Sequence, residues 1–316
     1  MKIKKIIVLS LLCLLPFART TTKELNELDT YIQFKIERDN IPGLALIILK
    51  NDQIVYQKGY GWADIENQIS MTVQSNFCVA SIAKSFTAFA VMQLHEKGKL
   101  NVEDPVNKYL PFQVVHPLYP EEKITIKQLL THTSSISNGP SMWINFSDGD
   151  PKITLEEWAR NYFIPGGKFY HNEGNFERWK PGDGFLYSNG GYGLLAYLVQ
   201  AVSGLPFNLY CKQNIFTPLG MLNSSFHVSE IDTNTMASMY GFGDFTDLEK
   251  DLARKNVNVD SAISQNKTFP LMKYSSPELG AGALYTSANQ LSQFLICLMN
   301  DGNIEWRSNS EEGNIR

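Results

Sequence analysis

The segment Cys78-Val79-Ala80-Ser81-Ile82-Ala83-Lys84-Ser85-Phe86-Thr87 sets a serine and a lysine three residues apart where a helix is expected to open. Apolar residues recur at Phe86, Phe89, Ala90, Val91 and Leu94, and Gly98 follows as a C-terminal cap, so the spacing predicts a helix. Residues three apart share one helix face, which turns Ser81 and Lys84 the same way. A serine hydroxyl is a weak nucleophile at neutral pH until a neighbouring base takes its proton. A lysine is that base only where burial or nearby cations lower its pKa. The pair therefore suits acyl transfer. Ser264-Gln265-Asn266-Lys267 repeats the spacing in a polar stretch without helical period, so spacing alone decides nothing. Ser81 is set apart by the β-type run Phe77-Cys78-Val79 before it and the amphipathic helix after it.

The rest of the 316-residue chain is consistent with a secreted globular enzyme. Lys2, Lys4 and Lys5 precede an apolar run from Ile6 to Leu15, the pattern of a signal peptide over residues 1–18, with the working domain at 19–316. The expected location is secreted or periplasmic. No later apolar run has the length of a bilayer span. The net charge of −4 and the lack of a basic cluster argue against nucleic acid as a partner. Cys78, Cys211 and Cys297 are far apart, odd in number and without metal spacing, so buried thiols are expected rather than disulfides. The five histidines are scattered, and neither a metal nor an organic cofactor is implied. Asn145, Asn223 and Asn266 open glycosylation sequons.

Leu25, Leu28, Ile32 and Ile36 have helical spacing. Two β-rich runs, Gly43 to Leu49 and Gln53 to Gln57, flank Asn51-Asp52 as a hairpin would. Gly59 to Asp64 is read as a loop or short strand. Thr125 caps a short helix to Leu130, and Thr154-Leu155-Glu156-Glu157 is a capping box opening another. Thr131 to Asp150 is rich in Ser, Gly, Asn and Asp and reads as an exposed loop. Tyr192 to Val202 and Ser287 to Met299 are further helices, and Glu230 to Thr268 is polar and irregular.

A second segment with chemistry is Tyr187-Ser188-Asn189-Gly190-Gly191, where a turn precedes and a Gly-Gly bend leads into a helix. Tyr187 would take the Ser81 proton or relay it to a leaving group. Asn189 would bond a substrate amide or steady Lys84. Alone, the segment reads rather as a turn asparagine beside a half-buried tyrosine, and Tyr170-His171-Asn172 matches the same Tyr-x-Asn pattern.

Taken together the motifs resemble the serine β-lactamase and penicillin-binding-protein-like superfamily, in particular its class C β-lactamase-related esterases, D-aminopeptidases and D,D-carboxypeptidases. The resemblance runs through Ile41-Pro42-Gly43, Gly59 to Asp64, the Ser81 segment, Leu94 to Leu100 and Asp104-Pro105. It continues through Tyr109-Leu110-Pro111, Leu129 to Ser134, Tyr187-Ser188-Asn189, Pro218 to Met221 and Gly280 to Tyr285. It implies an α+β fold, an antiparallel sheet flanked by helices with an all-helical subdomain. It implies Ser81 as nucleophile, Lys84 and Tyr187 as the base system, and Asn189 as a substrate contact. The substrate is then a small molecule or peptide, with amide or ester work favoured over β-lactam hydrolysis. Ser135 departs from the family, which carries glycine there, and a slightly altered turn is expected.

The larger departure is an absence. The family's third motif, Lys-Thr-Gly or His-x-Gly on a strand after the last helix, occurs nowhere in the 316 residues. That strand supplies the second oxyanion donor, and loss of one such donor costs about 10²–10³ in rate. The expectation is a C-terminally incomplete domain, whether a truncated gene product, a fragment or a chain completed by a separate C-terminal segment, and weak or no activity for the chain as it stands. The alternative reading is a non-catalytic relative that binds peptide or wall fragments. The pocket is expected from the loops Thr131–Asp150 and Asn161–Lys180, with Trp143, Phe146, Tyr170 and Trp179 as candidate lining. His132 is expected to be structural.

Overall fold

The computed structural model describes residues 22–140, 146–241, 253, 257–265 and 267–302. The expected signal segment, Trp143, the Asn145 and Asn266 sequons and the residues after Gly302 lie outside these. The first unit is helix α1, Thr22–Arg38, with its turn to Ile41. Its apolar residues follow the spacing noted above.

From Pro42 onward a second compact unit begins with an antiparallel hairpin, β1 (Gly43–Lys50) and β2 (Gln53–Asp64). Asn51 and Asp52 have φ of 49° and 62°. That is the left-handed pair a two-residue turn needs to match the twist of the strands. Gly59 to Asp64 takes the strand alternative: it continues β2, pairing back to Gly43↔Gly61 and on to β3, Ile69–Ser70. Gly59 permits this because an added Cβ would lie 2.0 Å from the Met71 carbonyl oxygen.

The remaining elements are β4 (Phe77–Cys78), α2 (Ala83–Glu96), α3 (Ile126–Leu130), β5 (Ser147–Asp148), α4 (Leu155–Phe163), α5 (Asn189–Ser203) and α6 (Phe207–Cys211). They continue with β6 (Tyr240–Gly241), α7 (Val259–Ser264), β7 (Phe269–Pro270), β8 (Tyr274–Ser275), α8 (Leu279–Gly282), β9 (Tyr285–Thr286) and α9 (Ala288–Met299). Their short strands form separate antiparallel pairs, β4 with β9, β5 with β8 and β6 with β7. The fold is thus mixed helix and antiparallel sheet, as expected. Among the described residues, β1 pairs on one side only, with β2.

Sequence capping signals set the helix ends. Thr125 and Gln128 form a reciprocal capping box at α3, and Thr154 accepts from the Glu157 N–H at α4. Ser188 and Ser287 cap α5 and α9, and Gly204 closes α5 at φ +74°. The Gly190-Gly191 pair is not a bend before the helix. It lies inside the first turn of α5, because Ser188 caps the helix and α5 opens at Asn189, three residues before Tyr192.

Helix α5 is the centre of the core, packed against α2, α3, α4, α6 and α8. Ten of its residues are buried, and its neighbours contribute Phe86, Trp158, Tyr162 and Phe163. Phe86 of α2 stacks on Phe294 of α9 with ring centroids 4.1 Å apart. The segment expected as an exposed loop is exposed only in part. Ser134 to Ser137 are buried, since their hydroxyls find backbone partners. Of the expected aromatic lining, Phe146 packs edge-on against Tyr274 and Trp179 lies against Gly184.

Gly193, in the middle of α5, marks the tightest helix contact. A Cβ there would meet the Trp158 ring at 2.4 Å and the Glu278 Cβ at 2.8 Å. Helix propensity alone favours alanine by about 1 kcal/mol, but overpacking a filled core costs about 1–3 kcal/mol, and an indole plane has nowhere to retreat. Gly193→Ala is therefore expected to lose about 1–2 kcal/mol of unfolding free energy in urea titration. A stabilised variant would contradict this packing.

Candidate active site

The β4–β9 ladder delivers Ser81. Cys78 pairs with Tyr285, the Val79 N–H donates to the Leu284 carbonyl at 2.9 Å, and the Cys78 thiol donates to the Gly282 carbonyl at 3.2 Å. Burial pushes the Cys78 thiol up to about 11, so it remains protonated and is no second nucleophile. The next residue but one, Ala80, sits at φ +46°. A left-handed alanine is strained by about 1–3 kcal/mol and persists only where its neighbours fix it. Here the ladder holds one side and α2 the other. The kink leaves Ser81 exposed on a 3₁₀ turn, while Lys84, one turn later, is buried.

Lys84 Nζ touches three oxygens: Ala281 O at 2.5 Å, Asn189 Oδ1 at 2.7 Å and Ser81 Oγ at 3.3 Å. A carbonyl and an amide oxygen can only accept, so each takes one N–H whatever the charge of the amine. The hydroxyl is different, because it accepts from an ammonium and donates to a neutral amine. Once the proton is lost, the lone pair of Nζ is left to the hydroxyls beside it, Ser81 Oγ at 3.3 Å and the Tyr187 phenol. Burial lowers the Lys84 pKa, with the Tyr187 phenol and the Glu278 carboxyl opposing it.

Tyr187 and Asn189 join the same site. Nζ stands 4.6 Å from the centre of the Tyr187 ring, and Tyr187 is 41% exposed at the mouth. His132 stacks on that ring at 4.6 Å and accepts from the Ser188 N–H through Nδ1. Burial, with the Lys84 charge second, lowers the His132 pKa, which keeps the ring neutral with its proton on Nε2. His132 thus supports Tyr187 and does not replace it. Asn138 Oδ1 accepts the Asn189 N–H at 2.6 Å, which fixes the start of α5.

Ser135 adopts φ +64°, so the turn keeps the left-handed geometry that glycine would allow, contrary to the altered turn expected. Its hydroxyl donates to the Trp179 carbonyl at 2.7 Å, offsetting the strain. Buried His116 Nε2 lies 2.9 Å from the Glu177 carbonyl in the same network. All four residues singled out from sequence, Ser81, Lys84, Tyr187 and Asn189, therefore converge on one place. In the chance repeat, Lys267 bonds Gln265. Asn223, the one sequon asparagine described, bonds Thr235 and the Asp232 N–H, which leaves its amide engaged.

Sequence reading missed Glu278. It precedes α8, whose Ala281 carbonyl holds Lys84 and whose Gly280 carbonyl accepts from Thr87 at 2.8 Å. Its carboxyl is buried and raised to about 7 by desolvation, with its own backbone N–H and Lys84 acting the other way. The signal for it was a lone acid in Pro277-Glu278-Leu279-Gly280-Ala281-Gly282, a run otherwise apolar or small.

Comparison with known proteins agrees with this geometry. The family model described as Beta-lactamase matches residues 28–313. Protein flp of Staphylococcus aureus (strain NCTC 8325 / PS 47) is 30% identical over 208 residues, 66% of this chain and 39% of the relative. The chain thus spans about two fifths of the length of that curated relative. The octameric penicillin-binding protein homologue from Pyrococcus abyssi superposes with a TM-score of 0.65 at 25% identity, over 89% of this chain and 57% of that one. D-amino acid amidase from Ochrobactrum anthropi SV3, complexed with L-phenylalanine amide, superposes at 0.65 and 22% identity, over 90% and 73%.

Glu278 gives stability a definite pH dependence. A carboxyl raised from 4.5 to about 7 by folding stays protonated in the fold while the unfolded chain ionises. Its contribution is intact below about pH 4.5 and is lost as pH rises to about 7. Glu278→Gln removes that loss, so the variant is expected to gain on the wild type by about 3 kcal/mol between pH 4.5 and 8. Paired urea titrations across that range measure it, and parallel curves would refute the buried charge.

Proposed function

We propose an acyl-transfer hydrolase for this chain, which belongs to the Beta-lactamase family, a family of β-lactamase-related serine hydrolases. Ser81 is the nucleophile and Lys84, as the neutral amine, its base. The observation that carries this reading is the coordination of Nζ, held by two acceptor-only oxygens with the Ser81 hydroxyl at 3.3 Å. Ser81 O–H gives its proton to Nζ as Oγ bonds to the substrate carbonyl carbon. The bond to the leaving group then breaks, and the leaving amine or alcohol takes a proton by way of the exposed Tyr187 phenol. Water hydrolyses the acyl ester, and the hydroxyl of Ser81 is restored. Substrates are amides or esters, small molecules or peptides; the likeness to an amidase complexed with an amino-acid amide supports the amide side. Asn189 steadies Lys84 in the resting site, so any contact with substrate passes through the same amide. The basic and apolar start of the chain supports export through a signal peptide.

Binding of peptide or wall fragments without turnover is the second reading. A strand bearing Lys-Thr-Gly or His-x-Gly, supplied as a completing segment, would add the second oxyanion donor.

Intact-mass spectrometry after incubation with a fluorophosphonate separates these readings. The wild type is expected to gain one adduct, Ser81→Ala none, and Lys84→Met to react about 10²–10⁴-fold more slowly. A folded wild type that stays unlabelled while retaining peptide binding would establish the second reading.

A further inference from the structure

We propose that Glu278 governs the charge of Lys84, holding the lysine proton when ionised and so setting the pH above which Ser81 reacts. The inference rests on the reading of Ser81 and Lys84 as nucleophile and base. Three observations carry it. The carboxyl is only 3% exposed and is fixed relative to Lys84, because α8 is tied to α2 at both Ala281 and Gly280. Glu278 Oε2 has no hydrogen-bond partner among the described residues, and the side chain makes no capping bond to α8. Packing at this position needs only its stem, whose Cβ fills the space left by Gly193. A buried acid whose carboxyl leaves one oxygen unpartnered is costly wherever an amide or an apolar residue would serve. What the carboxyl adds is a charge, and Lys84 is the cation that acts on it.

The titratable groups around the pair come from every element packed on it. Lys84 faces Ser81, Tyr187 and, from α5, Tyr192, with the ring centre at 5.7 Å, and its charge reaches His132. Glu278 faces Lys84 from α2 and Tyr162 from α4. Tyr162 and Tyr192 are pushed up by burial and stay phenols, and His132 stays neutral. Glu278 ionises near pH 7, and its carboxylate then favours the ammonium form of Lys84. The lysine consequently gives up its proton at a higher pH than a neutral neighbour would impose. Near charges move a partner by about one unit or more. Because the two groups interact, the observed limb belongs to the pair.

The test measures the rate of Ser81 phosphonylation by a fluorophosphonate from pH 5 to 10, in the wild type, Glu278→Gln and Glu278→Asp. The titration of the Lys84 side chain is followed in parallel by NMR of ¹³C-lysine protein, with Lys84→Met for assignment. The expected result is an acidic limb about one pH unit lower in the glutamine variant, about tenfold faster reaction at a pH on the limb, and the same fall in the Lys84 midpoint. The aspartate variant keeps the wild-type limb. A purely structural role would change rates without moving either midpoint, so coincident limbs and midpoints would overturn the proposal while leaving the hydrolase reading intact. If the wild type takes no adduct at Ser81, the hydrolase reading fails instead. The NMR midpoints still decide whether Glu278 holds the lysine proton.

Discussion

A buried amine with three oxygen partners is the constraint around which this protein is built. Lys84 cannot be buried beside Tyr187 and Tyr192 without partners for its protons, because a desolvated cation is costly. The partners come from distant parts of the sequence: Asn189 starts α5, and Ala281 lies in α8. One lysine thereby fixes how three helices meet. The same three helices form the inner packing of the domain, so the chemistry and the core share a single set of contacts.

The scaffold concentrates strain and close approach where they position this group. Ala80 accepts a left-handed backbone so that Ser81 faces solvent while Lys84 does not. Ser135 accepts another and offsets it with a hydroxyl bond that holds the loop under Tyr187 and Asn138. Gly193 gives up helix propensity so that Trp158 and Glu278 can both reach α5. None of these residues is chemical in itself. Each removes a freedom that would let the lysine drift from the serine, and small displacements of catalytic groups are costly.

Much of this was legible in the sequence, for physical reasons. Capping hydroxyls, the Asn51-Asp52 turn and the period of α2 are local, so Thr125, Thr154 and Gly98 point to their elements directly. Ser81 and Lys84 share a face by helical spacing, and the resemblance supplied Tyr187 and Asn189. Long-range compensation was not legible. Composition makes Ser134 to Ser137 look exposed, but the Ser135 and Ser137 hydroxyls are satisfied by carbonyls far along the chain. Ser135 keeps a glycine-like turn because Trp179 offers an acceptor 44 positions later. Glu278 looked like an ordinary acid, since its burial depends on α2, α4 and α5 closing over it. Gly59 to Asp64 was left between loop and short strand by its glycines, and the close Met71 backbone that requires Gly59 in a strand is not visible in the sequence.

The central claim is that Lys84, once neutral, spends both its N–H groups on Ala281 and Asn189 and turns its lone pair to Ser81. Neutron diffraction from deuterium-exchanged crystals, on the alkaline side of the reactivity limb, locates those protons directly. The account predicts two deuterons on Nζ, aimed at Ala281 O and Asn189 Oδ1, with the Ser81 O–D pointing at the nitrogen. Three deuterons on Nζ at that pH, with the serine O–D turned elsewhere, would contradict it.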